Sequence, residues 1–441
     1  MLPVLTTQQM RETDRAATEA FGLPPLLLME HAAEALVGAL DRRFGGLLPK
    51  TKGCVFAGHG NNGGDVLAAV RLLHERGCQD VFIVLVGGER PLSELTRLQL
   101  GILSKLGLAW GKEASPDLLQ ACDWILDGIF GTGINRAIEP DLAQTIQTLN
   151  QFHQKKWIVS ADLPSGLHAD TGHPMPVAVK ASETVCLGAY KRGLVTGDAA
   201  DYVGILTLAP IQIPSGAVPA NLDCFLYTEQ DARRLPSRRQ NSHKGLFGKV
   251  GVWAGGPSRE GAAALSALGA LKSGAGLVSV YGAADTLQSL RPRLAPEVMT
   301  EVRGDVGALA PQVLVVGPGL GTGKAEWAIL EACLRSSLPL VLDADALTLL
   351  AAHASKAQAL LEKRSAPTIL TPHPKEASAL LGGTVDSVQL DRYATLNHLT
   401  QTWFCTILLK GSGTLCQTPA TPMWRSTTTP PMATPNCSTY G

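Results

Sequence analysis

The sequence has no surplus of positive charge: Lys and Arg number 38, and so do Asp and Glu. With no basic excess and no basic domain standing out, nothing draws the chain to nucleic acid or to an anionic membrane surface. No apolar run reaches the roughly 18 uncharged residues that a membrane span needs, so none is expected. The opening MLPVLTTQQMRETDRAA lacks a basic start followed by an apolar core, so no signal peptide is expected either. The nine cysteines are odd in number and no two are spaced as CxxC. That pattern fits reduced thiols in a cytoplasmic protein and argues against a disulfide framework or a zinc site. Two nucleotide fingerprints are missing as well. Neither a GxGxxG with a following acidic residue nor a P-loop with its Lys is present, which disfavours an NAD-dependent dehydrogenase.

What is present describes a folded chain of some size. Apolar residues make up 45% and charged residues 17%, which excludes disorder over most of the length. At roughly 100–200 residues per domain, 441 residues imply two or three domains. The 46 glycines cluster in short runs that follow apolar stretches.

Residues 1–48 read as helical, with apolar residues on most turns of 26–40. From about residue 53 short apolar runs begin: CVFAG, VFIVLVGG, WILDGIF and WIVSADLP. Helix-like stretches at 65–76 and 93–106 lie between them. The alternation predicts a parallel sheet with helices on both faces. A polar stretch over 214–239 breaks the rhythm and reads as a domain boundary. A second series follows: KVGVWAGG, LVSVYG, QVLVVGPG, PLVLDAD, PTILTPH and CTILLKG. The two halves share no motif, so they are different domains and not a duplication. The resulting division is 1–215, a linker at 216–240, a second domain at 241–415, and an irregular Thr/Pro-rich tail at 416–441.

Three loops of the first half carry chemistry. GHGNNGGD at 58–65 sits between a strand and a helix. Its glycines permit tight turns and close ligand approach, and the following helix aims free N–H groups at that ligand, which suits phosphate. Asn61, Asn62 and Asp65 add oxygens able to ligate a cation. DGIFGTG at 127–133 and ADLPSG at 161–166 also follow apolar strands. In a doubly wound sheet such strand ends converge on one crevice. Taken singly, each loop is equally an ordinary βα turn, with Asp127 or Asp162 serving as a helix cap. Together they suit an alkali cation beside a phosphorylated ligand.

NNGGD, then D-x-x-x-GTG, then D-x-PSG resembles the NAD(P)H-hydrate (NAD(P)HX) epimerase domain. The likeness covers about 1–215 and includes LLLMEHAAEAL and ETVCLGAYKRGL. It implies a Rossmann-like three-layer α/β/α domain that interconverts the R and S epimers of hydrated NADH and NADPH. It also implies a potassium site at Asn62, Asp127 and Ser165. Asn61, Asn62, Gly63, Gly64 and Asp65 would line the nucleotide site with Gly131, Thr132, Gly133, Ile134, Asn135, Arg136 and Ala137. Asp162 would bind the ligand. It is also the candidate catalytic acid or base, because epimerising a carbinolamine carbon requires proton movement at its hydroxyl. His31 and Ala33 stand where the family usually has Asn and Gly.

In the second half, HKG-x-x-G at 243–248 precedes a strand, and the Ala/Gly-rich stretch 261–281 suits either tight helix packing or a ligand close to backbone. GPGLGTG at 317–323, DADAL at 343–347 and TPHPKE at 371–376 each follow a strand. Prolines flank His373 and fix the backbone around it. The KGSGT loop at 410–414 offers Lys410 and N–H groups to nucleotide phosphates. In series these look like the ADP- or ATP-dependent NAD(P)H-hydrate dehydratase domain of the ribokinase-like superfamily. The resemblance spans about 230–415. It implies that nucleotide phosphorylates the S epimer's hydroxyl, after which phosphate leaves and NAD(P)H is restored. Ala262, Gly319 and His373 would meet the hydrate, and Lys410, Gly411, Ser412, Gly413 and Thr414 the nucleotide. Lys375 replaces a usual Gly.

Such domains continue into N-x-x-G-M-A-T-G-G-S-G-D and further helices. The Gly-rich turn is an anion hole at a helix N-terminus, and its Asp activates the hydroxyl. Here the corresponding stretch reads STTTPPMATPNCSTYG, and no Asp or Glu follows Asp391. The ribokinase-like domain is therefore expected to be incomplete, with exposed apolar surface where helices are missing. Epimerase activity is expected and dehydratase activity is expected to be weak or absent. The cofactors implied are K+ and ADP or ATP, and the partners are NADHX and NADPHX. Mg2+ with the nucleotide and a homo-oligomeric assembly stay open. Two other readings stay open too: a ribokinase-like kinase for a vitamin precursor, disfavoured by the NNGGD domain, and a nucleotide-binding or interaction protein that has lost catalysis.

Overall fold

A computed structural model of the chain describes residues 1–88, 90–134, 138–232, 238–303, 306, 311–419 and 421–426. It divides into two compact units, Met1–Thr228 and Glu229–Thr427. Both are α/β. Among the described residues, no helix is long and apolar enough to cross a membrane.

The first unit contains ten strands among its described residues: β1 (Leu2–Leu5), β2 (Gly53–Ala57), β3 (Val81–Leu85), β4 (Trp110–Gly111), β5 (Trp124–Gly128), β6 (Trp157–Ala161), β7 (Glu183–Leu187), β8 (Tyr190–Lys191), β9 (Ile205–Ala209) and β10 (Cys224–Leu226). The main sheet runs β4-β3-β2-β5-β6-β7-β9, with every neighbouring pair parallel. The principal helices are α1 (Thr7–Glu19), α2 (Pro25–Phe44), α3 (Asn61–Glu75), α4 (Glu94–Lys105), α5 (Pro116–Ala121) and α6 (Pro140–Asn150).

Side-chain alternation along the strands builds two cores. Val55, Ala57, Leu126 and Val159 pack with Leu36, Leu40, Leu67 and Leu103 of α2, α3 and α4. Cys54, Phe56, Ile125 and Ile158 pack with Leu119, Leu142, Ile146 and Leu149 of α5 and α6. A strand buried on both faces has no polar side, which is why these strands read as unbroken apolar runs. The fully buried Trp124 donates its indole N–H to Thr51 Oγ1 at 2.8 Å. Its ring fills the space a Cβ on Gly53 would need, so the strand opens on glycine.

The second unit holds β11 (Lys249–Trp253), β12 (Leu277–Gly282), β13 (Met299–Val302), β14 (Val313–Val316), β15 (Leu340–Leu342), β16 (Thr368–Leu370), β17 (Thr406–Leu409), β18 (Leu415–Thr418) and β19 (Thr421–Ser426). Their order is β13-β12-β11-β14-β15-β16-β17-β18-β19. The pairs from β13 to β17 are parallel, whereas β17-β18-β19 is an antiparallel meander. One core cluster gathers Val252, Val278 and Val280 with Ala263 and Ala267 of the helix Glu260–Lys272. The Ala/Gly-rich stretch is thus in part a close-packed helix.

Three expectations are corrected. Residues 1–48 are not helical throughout, because Leu2–Leu5 is a strand that pairs with β10 and β8. Its partners lie far along the chain, so local periodicity carries no trace of them. For the same reason Cys224–Leu226, placed in the linker at 216–240, is a strand of the first unit. The tail at 416–441 is not irregular from its start, since β18 and β19 occupy much of 415–426. Residues 427–441 lie outside the described residues.

Candidate functional site

In the first unit the chain leaves β2 towards β3 on one side, and β5 enters on the other side of β2. At such a switch point the loops after the two central strands diverge and leave a crevice at their carboxyl ends. A cavity of about 790 Å³ lies there. Asn61, Asn62 and Asp65 line it from the start of α3, Gly131, Thr132, Gly133 and Ile134 from the loop after β5, and Asp162 from the end of β6. All three predicted loops therefore meet on one cavity. Asn135, Arg136 and Ala137 lie outside the described residues.

Two predicted residues do a different job. Gly63 and Gly64 are not on the cavity wall. A Cβ on Gly63 would collide with the Gly58 carbonyl, and one on Gly64 with the Met29 side chain. The paired glycines let α3 approach its own loop and α2. The departures His31 and Ala33 also fall off the wall: Ala33 is buried core, and His31 faces Glu34 at 3.7 Å.

Asn62, Asp127 and Ser165 come together around the backbone of one residue, Phe130. Asn62 Nδ2 donates to the Phe130 carbonyl at 2.9 Å, and the Phe130 N–H donates to Ser165 Oγ at 2.9 Å. Ser165 Oγ donates to Asp127 Oδ1 at 2.5 Å, and Ser165 N–H and Ser160 Oγ donate to Oδ2 at 2.9 and 2.8 Å. Asp127 and Ser165 are fully buried beneath the cavity. Burial pushes the Asp127 carboxyl above its ordinary value, and only hydrogen bonds pull it back, with no cationic side chain contributing. The donor set is all oxygen and includes one buried carboxylate without a counter-charge. That suits a hard, weakly demanding cation.

Asp162 has φ +65°, a conformation rare for a residue with a side chain and concentrated at functional sites. Lys191, from β8, ion-pairs with Asp162 Oδ1 and also donates to the Leu187 carbonyl at 2.6 Å. Burial is the largest influence on the Lys191 ammonium and would lower it, but the charge and hydrogen bond of Asp162, with Cys186 and Asp14 acting in the same sense, together outweigh it and the net displacement is upward. Lys191 is a fixed cation at neutral pH. Asp65, also buried, is pushed well above the usual carboxylate range by desolvation, with Asp162 and Asp14 acting in the same sense. Lys191 and Asp14 line the cavity, yet neither was singled out from the sequence. Lys191 lay within the quoted ETVCLGAYKRGL, but nothing in a Lys-Arg pair says that one of them turns inward.

The second unit repeats the topological logic with different residues. β11 leads to β12 and β13 on one side, and β14 enters on the other. A cleft of about 760 Å³ at that switch point is lined by Ser258, Arg259, Glu260, Gly261, Ala262, Arg293 and Gly319. Ala262 and Gly319 are thus brought together. Gly317, Gly319 and Gly321 have φ of +120°, +64° and +104°, which explains the glycine at every second position of GPGLG. Asp345 Oδ2 ties this loop to Arg259, accepting from Gly321 N–H at 2.8 Å and from the Arg259 guanidinium at 2.7 Å.

His373 and the loop 410–414 are not on the walls of that cleft. His373 caps the helix Pro374–Leu381: its Nδ1 accepts from Lys375 N–H at 3.1 Å and Glu376 N–H at 3.3 Å. That fixes its proton on Nε2, which faces Glu376 Oε1 at 3.3 Å. Lys410 Nζ lies 2.7 Å from Asp343 Oδ1 and 3.9 Å from Glu376 Oε2, so the ends of β15, β16 and β17 form one charged cluster. Behind it Arg392, 3% exposed, donates to the carbonyls of Leu409, Lys410 and Gly413 at 3.3 Å. Nothing in the sequence marked this residue, a lone Arg at the start of the helix Arg392–Trp403. Arg392→Leu should strip these carbonyls of partners and cost about 1–3 kcal/mol. Thermal unfolding of the second unit would show this as a lowered midpoint, with weakened nucleotide binding beside it.

Two α/β units, each with a crevice at its switch point and Gly-rich strand ends, define a two-site protein of the class whose crevices bind nucleotides. The comparisons narrow this. Residues 26–193 match the family described as YjeF-related protein N-terminus, and residues 250–435 match that described as NAD(P)H-hydrate dehydratase. The chain is 34% identical to the bifunctional NAD(P)H-hydrate repair enzyme Nnr of Moorella thermoacetica, over 94% of this chain and 82% of that one. It is 34% identical to that of Coxiella burnetii, over 94% and 83%. For Escherichia coli the figures are 31%, 92% and 77%. A solved structure of the Bacillus subtilis ADP/ATP-dependent NAD(P)H-hydrate dehydratase, co-crystallised with ATP/Mg2+, is 28% identical. It covers 45% of this chain and 72% of that one, with a TM-score of 0.40. The chain belongs to the bifunctional NAD(P)H-hydrate repair enzyme family.

Proposed function

We propose that the first unit interconverts the R and S epimers of hydrated NADH and NADPH, with Asp162 as the group that moves the proton. The observation that carries this is the placement of Asp162 on the same cavity as Asn61, Asn62 and the 131–134 loop, with its carboxylate anchored by the buried ammonium of Lys191. In the substrate the epimeric carbon bears both a hydroxyl and the ring nitrogen. Moving a proton at that hydroxyl lets the carbon become planar, either by opening of the ring or by departure of water. Closure or addition from the other face then inverts it. Asp162 exchanges that proton, and Lys191 holds the carboxylate in place throughout without acting as a base.

Asn62, Asp127, Ser165 and the Phe130 carbonyl would hold potassium, whose positive charge would favour anionic groups of the dinucleotide nearby. The claim has a readout apart from activity. A proton on Asp127 and a cation beside it are alternative ways of neutralising the same buried charge. The folded carboxyl lies above its unfolded value, so without a cation Asp127 costs stability as pH rises past the unfolded value of about 3.9. Potassium should therefore raise the unfolding midpoint at neutral pH relative to an equal concentration of tetramethylammonium. The gain should shrink as pH falls towards 4 and vanish in Asp127→Asn. Equal midpoints in the two salts at neutral pH would remove the cation from this site.

The second unit is the counterpart of the nucleotide-dependent dehydratase. ADP or ATP would phosphorylate the S epimer's hydroxyl, and phosphate would then leave as the ring regains its double bond. Ala262 and Gly319 would approach the hydrate and the 410–414 loop the nucleotide, with Lys410 supplying positive charge. Mg2+ would accompany the nucleotide. In this chain that second activity would be weak, because Pro435, Asn436 and Thr439 stand where the resemblance puts two glycines and the Asp.

A further inference from the structure

We propose that Asp14 is a second proton-exchanging residue of the first site, the donor that complements Asp162. This rests on the reading of that cavity as the NAD(P)HX site. Inversion by loss and return of water moves two protons. One must reach the departing hydroxyl, because water leaves a carbon far more readily than hydroxide does. The other must come off the arriving water. Asp162 accepts a proton, but a carboxylate ion-paired with a buried ammonium has none to give. The donor has to come from elsewhere on the wall.

Asp14 is placed for this by its helix. Met10, Asp14 and Thr18 are spaced i, i+4 and i+8, so they share one face of α1, and that face lines the cavity. Thr13 and Ala17, on the adjoining face, are buried and hold the helix down. A capping box of Thr6 and Gln9 starts α1, and Thr7 N–H donates to Asp170 Oδ1 at 2.7 Å. None of these contacts involves Asp14. Among the described residues its carboxyl has no hydrogen-bond or ion-pair partner, and the residue is exposed to solvent. Lys191 on β8, Asp162 at the end of β6 and Asp65 on α3 face it, each in electrostatic reach. β1 and the turn 215–217, which pack against α1, carry no titratable side chain, while Arg15 and Glu19 of α1 line the same cavity.

Desolvation by the surrounding walls pushes the Asp14 carboxyl up to about 6; Lys191 opposes this and Asp162 adds to it. Asp14 therefore carries a proton in a useful fraction of molecules near neutral pH. Asp65 is less suited. It is 9% exposed and pushed well above the usual carboxylate range, so it keeps its proton and has little access to the water that would reload it. In the forward step the Asp14 proton passes to the hydroxyl of the R epimer. The C–O bond breaks with its electron pair on oxygen, and the lone pair of the ring nitrogen forms a C=N bond that makes the carbon planar. Water adds to the opposite face, the C=N pair returns to nitrogen, and Asp162 takes the surplus proton. Asp162 then releases that proton to solvent and Asp14 regains one, so the site ends as it began.

The test is the pH profile of R-NADHX epimerisation in potassium buffer, net of the rate in buffer alone. A donor acts only when protonated, so kcat/KM of the wild type should fall as pH rises through about 6, approaching about tenfold per unit. In Asp14→Asn that fall should be absent. Its kcat/KM should lie about 10²-fold below wild type near pH 6 and within a few-fold of it near pH 8. Asp14→Glu restores a donor and should recover much of the rate together with the fall. Affinity for NADP+ should change less than about twofold in either variant, because Asp14 acts in the chemical step. A slowed Asp14→Asn that keeps the fall would overturn the inference, since another group would then be titrating. So would an Asp14→Glu whose rate and profile match those of Asp14→Asn. If the wild-type protein binds NADP+ without accelerating epimer exchange, the reading of the site fails and takes this inference with it. If it does both and Asp14→Asn keeps the wild-type rate and profile, only the role of Asp14 fails.

Discussion

Asp162→Asn should slow the interconversion of R- and S-NADHX by about 10²–10⁴-fold, the usual contribution of a positioned acid or base. The substitution preserves size and one acceptor oxygen but can no longer exchange a proton. It also leaves Lys191 as a fully buried cation whose remaining partners are the Leu187 carbonyl and the Cys186 thiol. Some stability should be lost with it. The kinetic prediction is separable from that loss, because kcat should collapse while NADP+ still binds the folded fraction. Lys191→Met gives the complementary result. Asp162 keeps its proton-exchanging oxygens but loses its anchor, so exchange should slow less than in Asp162→Asn. If Asp162→Asn retained wild-type exchange, the proton would have to move through another group, with Asp65 the remaining buried carboxyl on the cavity.

The second large effect concerns the other unit. With ADP, Mg2+ and S-NADHX, the 441-residue chain should form NADH at a rate at least roughly 10²–10³-fold below that expected of a working dehydratase. Met432, Ala433 and Thr434 keep the M-A-T of the family's anion-hole turn, but Pro435 and Asn436 follow where that turn has two glycines. Proline has no N–H to offer a transferring phosphoryl group and cannot take the positive φ open to glycine. Counting on from Met432, Thr439 stands at the position of the Asp that would take the proton from the hydroxyl. Its hydroxyl is far too weak a base for that task. Nucleotide binding is a separate expectation, because the 410–414 loop and Lys410, proposed to meet the nucleotide, and the Arg392 brace behind them do not depend on residues 435–439. The expected phenotype is thus binding of ADP without turnover, seen as a thermal shift with nucleotide and no absorbance change with substrate. Restoring glycines at 435 and 436 and Asp at 439 tests the assignment, with recovered NADH formation as the outcome in its favour.

Much of the first site was readable in the sequence because its chemistry sits at strand ends. CVFAG, WILDGIF and WIVSADLP are buried on both sheet faces, so each reads as a bare apolar run. The residues that break each run, Gly58, Asp127 and Asp162, are where the chain enters the crevice. Residues supplied from elsewhere left no such mark. Lys191 comes from a two-residue strand and is buried only because β7, β8 and the Asp162 turn surround it. Arg392 is one Arg on a helix until the carbonyls of 409–413 fold against it. The strands β1 and β10 depend on partners distant in sequence, and β18 and β19 are four and six residues long with no clear alternation, so local periodicity reports none of them. Gly63 and Gly64 show the opposite limit: the motif was visible, but helix packing, not ligand contact, is what needs them to lack side chains.

The central claim is that the first unit epimerises NAD(P)HX at the cavity holding Asp162, and one measurement bears on it most directly. Purified R-NADHX is incubated with the intact chain in potassium or tetramethylammonium buffer, and the R and S epimers are separated and followed over time. The account predicts that the chain brings the epimers to equilibrium far faster than the buffer alone, and faster in potassium. Relaxation no faster than the uncatalysed background in potassium, from protein that is folded and binds NADP+, would contradict it.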